Sequence, residues 1–375
     1  MLLIKPTLSC NKACRYCYET PWRSKNEPEP HNLEAVLKKI AETDSKDICL
    51  HGGEPLILPL QDVEKLLEAA FLKTGRSSIQ TNGTLITEDL ITIFKRFKTS
   101  VGISIDGDQD LNEFRMNLEE TSRLLDTMNT LTKEGLTLSV IIVLSKANAG
   151  TPDKLLRLKK FIGKLSSKNI TGRINPCICG NSEFELSTSE LIEAYRSLLM
   201  FTLSNGWRWS PFTDMWNALL DKDTVVCTFR GCDIFHTPSC TVITGDGSET
   251  NCMRISSKGL YHRQLIRATT REEILIATDK VYGGCKDCCF WEACHGGCPS
   301  QALDNDWRNR TMLCDLYHNL FTLISNFQKA LSITKQTKSS AKEACSTKKE
   351  KVVYPSGVEH LDGNIRHLDS NIGGK

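Results

Sequence analysis

The sequence predicts an α/β protein, a partial (β/α)6 TIM-like barrel followed by a small cysteine-rich domain. Three observations predict it. Apolar runs of strand length alternate six times with segments of helical period between Leu2 and Leu199. Polar or glycine-bearing turns follow several of the runs. From about residue 222 both periods give way to short segments rich in Cys and Gly. Alternating strands and helices require parallel strands joined by helical crossovers. Six units are too few for a closed eight-unit barrel, so the sheet is expected to stay open.

Candidate strands are Leu2–Thr7, Asp47–Leu50, Ser78–Thr81, Val101–Ile105, Leu138–Leu144 and Arg173–Ile178. Between the second and third, residues 61–73 set Val63, Leu66, Leu67, Ala70 and Phe71 on one helical face. Residues 87–97 do the same with Leu90, Ile93, Phe94 and Phe97. Ser187 and Glu190 have the spacing of a capping box and open a helix carrying Leu191, Tyr195, Leu198 and Leu199. A further helix is expected near Met312–Leu331. Beyond Ser332 the chain turns to Lys, Ser and Thr up to about Lys351, the composition of a disordered linker. A short repeat follows, with His360-Leu-Asp and His367-Leu-Asp seven residues apart. The expected domains are therefore 1–221, 222–331 and a tail, 332–375.

The 375 residues amount to about two domains at roughly 150 each. Hydrophobic residues make up 40% and charged ones 25%, enough to bury a core in a soluble globular protein. The formal charge of +2 leaves no footprint for nucleic acid or a membrane surface. The longest apolar runs are far below the roughly 20 residues of a membrane span, and MLLIKP lacks a signal-peptide layout. A cytoplasmic protein is expected. The outlier is 17 cysteines. In a long cytosolic chain, clustered cysteines point to metal rather than disulfides.

Cys10-x3-Cys14-x2-Cys17 follows the first strand directly. Three thiolates at this spacing can hold three corners of a 4Fe–4S cube and leave the fourth iron open. A structural zinc site needs four closed ligands, and His31 and Cys49 are too remote to supply one. Three further segments end successive strands: Gly52-Gly53-Glu54-Pro55, Gln80-Thr81-Asn82-Gly83-Thr84 and Ser104-Ile105-Asp106-Gly107. Strand carboxyl ends are where barrel active sites gather.

With Tyr16 before the last cysteine, residues 1–180 resemble the radical S-adenosylmethionine (SAM) superfamily. That resemblance implies a cluster whose open iron is chelated by the amino and carboxylate groups of SAM, and a 5′-deoxyadenosyl radical that abstracts a substrate hydrogen. It also implies SAM contacts from Tyr16, Gly52, Gly53, Glu54, Asn82, Ser104 and Asp106. Glu54 and the backbone beside it would hold the ammonium, and Ser104 to Asp106 would meet the ribose.

Downstream, Cys285-x2-Cys288-x5-Cys294-x3-Cys298 is followed by Cys314, and upstream stand Cys232, Cys240 and Gly247-x4-Cys252. This layout resembles the SPASM extension of radical SAM enzymes. By that resemblance Cys232, Cys240, Cys252 and Cys298 would hold one auxiliary 4Fe–4S cluster, and Cys285, Cys288, Cys294 and Cys314 a second. Two structural zinc sites would use eight thiolates equally well. Cys49 reads as a small core residue, Cys289 and Cys345 as bystanders, and Cys227 carries no signal beyond its neighbourhood. Cys177 and Cys179 end the sixth strand, facing the expected mouth. Packing is their expected role, with proton transfer or substrate capture as the catalytic alternative.

The resemblance implies an enzyme that oxidatively modifies a peptide or protein, for example by cross-linking, with an electron donor such as flavodoxin or ferredoxin. The overall layout is similar to anaerobic sulfatase-maturating enzymes, which carry an Asp after the cysteine equivalent to Cys252. Here that residue is Met253, which takes no proton, so formylglycine formation becomes the alternative. Modification of a small molecule and a zinc-stapled binding module are the others. The cysteines begin at residue 10, so no preceding domain is expected to grip a leader peptide. Recognition is left to the mouth, the extension, the tail or another protein.

Overall fold

The computed structural model describes residues 1–20, 31–224, 226–256 and 269–346, with 332–346 as backbone alone. The six expected strands form: β1 (Leu2–Lys5), β2 (Ile48–Leu50), β3 (Ser77–Thr81), β4 (Thr99–Ser104), β5 (Leu138–Leu144) and β6 (Thr171–Pro176). Each pairs in parallel with the next. Two strands were not expected. β7 (Thr241–Thr244) runs parallel to β1, Leu2 opposite Thr241, and β8 (Glu249–Asn251) returns antiparallel to β7. The sheet order is β6-β5-β4-β3-β2-β1-β7-β8. The cysteine-rich region thus extends the sheet beyond β1, covering an edge that an open six-stranded sheet would expose.

Between strands lie α1 (Leu33–Glu42), α2 (Leu60–Thr74), α3 (Glu88–Arg96), α4 (Leu118–Lys133) and α5 (Pro152–Ser166), with α6 (Thr188–Ser204) after β6. Each start has a local cause. Asn32, Thr87 and Thr151 accept a first-turn N–H, and capping boxes open α4 at Asn117/Glu120 and α6 at Ser187/Glu190. α2 buries Val63, Leu66, Leu67 and Ala70, and α3 buries Leu90, Ile93 and Phe94. These faces close over Ile79, Val101, Ile103, Val140 and Ile142, all fully buried on the central strands.

The later region holds α7 (Arg271–Ala277) and α8 (Cys314–Ser346). α8 runs beyond Leu331, so residues 332–346 are helical where a linker was expected. The chain divides into two compact units, Met1–Asn326 and Phe327–Lys375. The repeat at His360 and His367 lies outside the described residues. Among these, no helix is long and apolar enough to cross a membrane.

Candidate active site and cysteine centres

Past β1 the chain crosses the carboxyl edge of the sheet as the loop carrying Cys10, Cys14 and Cys17, all half-buried. The loop is held from several sides. Cys17 N–H donates to Cys14 O at 3.1 Å and Arg15 N–H to Phe114 O at 2.9 Å. Lys12 N–H donates to Cys10 Sγ at 3.4 Å, and Asn82 Nδ2 reaches the same sulfur at 3.9 Å and Asn11 Oδ1 at 2.8 Å. Burial pushes the Cys14 thiol up; Arg115 opposes that, while Asp106, Cys17 and Cys10 add to it. The three thiols therefore share one electrostatic neighbourhood.

Gly53 lies where a side chain would collide with the Leu8 and Ser9 carbonyls, so only glycine lets the backbone approach. Glu54 N–H donates to Ser9 O at 2.8 Å. The Glu54 carboxylate is fully buried. Oε1 accepts from Leu56 N–H at 3.1 Å and Thr81 Oγ1 at 2.7 Å, and Oε2 accepts from Asn82 N–H at 2.7 Å. Burial raises its pKa against those three hydrogen bonds. Oε2 keeps capacity for one more donor. Ser104, at the end of β4, accepts from Gln80 Nε2 at 2.9 Å.

Asp106 is buried and anchors the cluster loop. Its Oδ2 accepts from the Tyr16 hydroxyl, and its Oδ1 from Val143 N–H at 2.8 Å and Arg115 Nη2 at 3.3 Å. Arg115 lies over the Tyr16 ring, 5.6 Å from its centroid. Its Nε is buried with no hydrogen-bond partner among the described residues. An orphaned guanidinium donor fits an anionic ligand such as a carboxylate. The sequence reading missed Arg115, because only the fold sets it against Asp106.

A second charged group lies behind the loop. Lys5, buried on β1, pairs with Glu19 and donates to the Tyr18 hydroxyl at 3.2 Å. Arg254 covers the Tyr18 ring at 4.9 Å. Burial, then Lys5, depresses the pKa of His51 to about 4. Its Nδ1 accepts from Gly52 N–H at 2.8 Å, which leaves the proton on Nε2. Met253 is buried and brings no proton acceptor.

At the end of β6 the Cys177 and Cys179 thiols are 3.9 Å apart. Cys177 is buried and Cys179 exposed. Burial, then Cys179, pushes the Cys177 thiol well up, which disfavours thiolate chemistry there. Gly180 N–H donates to Glu185 Oε1 at 2.6 Å, and Cys179 N–H to the same oxygen.

Nine further thiols fall in two groups, with Cys49 and the exposed Cys289 outside both. Burial raises Cys294, and Cys285, Cys314 and Cys288 add to it; Cys285, pushed up to about 11, feels Cys288 and Cys314 in turn. In the other group burial raises Cys252, with Cys298, Cys240 and Cys227 adding. Cys232 feels Cys298 and Cys227, and Cys240, raised by burial to about 12, feels Cys227 and Cys232. The sequence reading missed Cys227, although it stands near Cys232 in the chain. Among the described residues no three His, Cys, Asp or Glu side chains close around a single ion. A four-iron cube is larger than one ion and takes each thiolate on a separate corner, so the donor sets, all thiols, fit it.

Residues 4–158 match the sequence family described as the Radical SAM superfamily. Residues 4–158 are a radical SAM domain. It is 31% identical over 169 residues to the serine-type anaerobic sulfatase-maturating enzyme of Bacteroides thetaiotaomicron, covering 40% of this chain and 41% of that protein. With the cysteine-type enzyme of Clostridium perfringens (strain 13 / Type A) it shares 24% identity over 333 residues, 79% of this chain and 88% of that one. Its fold matches the solved structure of native anSMEcpe with bound AdoMet and Cp18Cys peptide at a TM-score of 0.68. That match has 21% identity and covers 90% of this chain and 99% of the other. The chain, an enzyme that carries a radical SAM domain, is thus an α/β protein built on a mostly parallel sheet, as its sequence predicts.

Proposed function

We propose that this radical SAM enzyme oxidatively modifies a peptide or protein, by cross-linking or a similar maturation of a ribosomal peptide. The observation that carries the reading is the Cys10–Cys17 loop, held at the strand ends beside the orphaned Arg115 Nε. When bound there, a 4Fe–4S cluster with SAM supplies the 5′-deoxyadenosyl radical that takes a hydrogen from the substrate. Cys10, Cys14 and Cys17 would hold it. Glu54 Oε2 would accept from the SAM ammonium, Arg115 would meet the carboxylate, and Ser104 would face the ribose. Gly52 and Gly53 keep the backbone close, and Asn82 and Tyr16 position the cysteine loop. Asp106 acts through Tyr16 and Arg115.

By the same reading residues 1–221 form the radical domain, 222–331 the auxiliary-cluster domain and 332–375 the tail. Cys285, Cys288, Cys294 and Cys314 hold one auxiliary 4Fe–4S cluster. Cys232, Cys240, Cys252 and Cys298 hold the other, with Cys227 as a fifth thiol in reach. The peptide bound to anSMEcpe supports a peptide substrate. Met253, without a proton acceptor, disfavours formylglycine formation. A flavodoxin or ferredoxin would deliver the electron, in the cytoplasm.

The test is anaerobic reconstitution followed by incubation with SAM, a reductant, a sulfatase-type peptide and small peptides encoded beside the gene. Loss of two hydrogens from one of the small peptides is the expected result. Formylglycine in the sulfatase-type peptide, or SAM cleavage with no peptide changed, would overturn the reading.

A further inference from the structure

Arg271 opens α7 with its side chain turned inward, and it is only 2% exposed. All its side-chain hydrogen bonds end on main-chain carbonyls. Nε donates to Trp307 O at 2.8 Å. Nη1 donates to Gly297 O at 3.1 Å and His295 O at 3.3 Å, and Nη2 to Asn309 O at 3.0 Å and Gly296 O at 3.2 Å. Those five contacts match the five N–H groups of a guanidinium. Among the described residues no carboxylate pairs with it. Asp233 accepts the Arg271 backbone N–H at 2.6 Å, while its side chain also meets His236 at 3.2 Å.

A buried charge without a counter-ion is costly, and a guanidinium cannot shed its proton to escape. Something anionic must face it. Thiols of both groups act on the guanidinium, Cys298 and Cys232 from one and Cys285 and Cys294 from the other. The loop that meets the guanidinium joins Cys294 to Cys298, one thiol of each group. His295, Gly296 and Gly297 are all left-handed, with φ of 50°, 71° and 70°, which turns three successive carbonyls onto one side chain. A Cβ on Gly296 would lie 2.5 Å from Leu275 Cδ1 and 3.6 Å from both Nη atoms, so the approach depends on glycine.

We propose that Arg271 is the shared counter-cation of the two auxiliary clusters, a positioning residue that ties their common loop in place and raises both reduction potentials. The inference rests on the reading that the two thiol groups hold 4Fe–4S clusters. A reduced cluster carries one more negative charge than an oxidised one, so a fixed cation beside it favours reduction.

The experiment compares the anaerobically reconstituted full chain with R271Q and R271K, by iron content and by EPR-monitored potentials of each cluster. R271Q is expected to lower both auxiliary potentials and leave that of the SAM-binding cluster unchanged. R271K keeps the charge and is expected to hold both closer to the parent. The inference falls if R271Q loads both clusters with unchanged potentials, if only one potential moves, or if R271K drops as far as R271Q. If R271Q loses the auxiliary iron and R271K retains it, the need for a cation is supported. If both variants lose it and keep only the SAM-binding cluster, the donor geometry matters and the charge claim fails. A parent with only about four irons overturns instead the cluster reading beneath it.

Discussion

Between Leu2 and Ser204 the chain buries a continuous apolar core in which strand residues such as Ile103 and Ile142 meet helix residues such as Leu67 and Phe94. Between Cys227 and Cys314 the region's own cluster is Ile234, Phe235, Ile255 and Trp307, with Cys232, Cys252 and Ile274 packed against it. Others of its apolar residues, Phe229, Ile243, Ala293 and Leu313, join the barrel core. The first region is held by repeated burial of large side chains. The second has turns and backbone carbonyls gathered by Arg271 and, on the proposed reading, depends also on the clusters its thiols would hold. A fold stabilised by burial survives loss of a ligand; one stabilised through thiol centres does not, since metal binding there is folding energy.

The sharpest break of this comparison is chemical. Replacing Cys10, Cys14 and Cys17 with Ala should abolish reductive SAM cleavage and lower iron from about 12 to about eight per chain, with the barrel still folded. 5′-Deoxyadenosine assay, iron analysis and circular dichroism check it, and persistent cleavage would refute the site. Next, Cys285→Ala with Cys294→Ala should raise hydrogen exchange across residues 271–314 to near that of an unfolded segment. β3, β4 and β5 should keep their protection, and equal loss in both regions would erase the distinction.

The reverse probe enters the barrel. Ile142→Ala should remove about 2–5 kcal/mol from the urea unfolding free energy while auxiliary iron stays unchanged. Glu54→Gln acts at the seam between fold and chemistry. It turns one acceptor of a buried carboxylate into a donor facing the hydroxyl of Thr81 or the N–H groups of Leu56 and Asn82. SAM affinity should fall by about 1–3 kcal/mol, read by calorimetry, and unchanged affinity would remove Glu54 from the site.

The smallest effect concerns pH. His51 is held at about 4, against an ordinary value near 6.5. The unfolded chain binds a proton at this residue below pH 6.5 and the folded chain does not until about 4. Stability from this group is thus complete above pH 6.5 and lost as pH falls towards 4. The residue is half-buried, so the loss is discounted to about 1–2 kcal/mol. His51→Asn should flatten that limb in urea melts at pH 7 and 5, and an unchanged slope would mean the imidazole is protonated in the fold.

Barrel elements were legible because their signals are local. The run at Leu138–Leu144 becomes β5 with the same bounds, and the Ser187/Glu190 spacing becomes a capping box. β7 was not legible: Thr-Val-Ile-Thr is short and half polar, and its place is set by pairing with β1, far away in sequence. Cys227 carries no signal in the sequence beyond its neighbourhood, because only the fold sets its thiol near Cys252, Cys232 and Cys240. The helical continuation to Ser346 was missed because composition alone argued for a linker.

Sequence spacing by itself determined six parallel strands, the cysteine loop after the first of them and the strand-end motifs. Each depends on a period or offset within a few residues. Tertiary structure alone decided that Asp106 would accept from Tyr16, that the Arg115 Nε would be buried without an acceptor among the described residues, and that Arg271 would spend its side-chain hydrogen bonds on carbonyls. Those roles belong to charges whose partners lie up to 90 residues away. A side chain's charge is written in the sequence, but the energy of that charge depends on burial and on what faces it, and both exist only once the chain has folded.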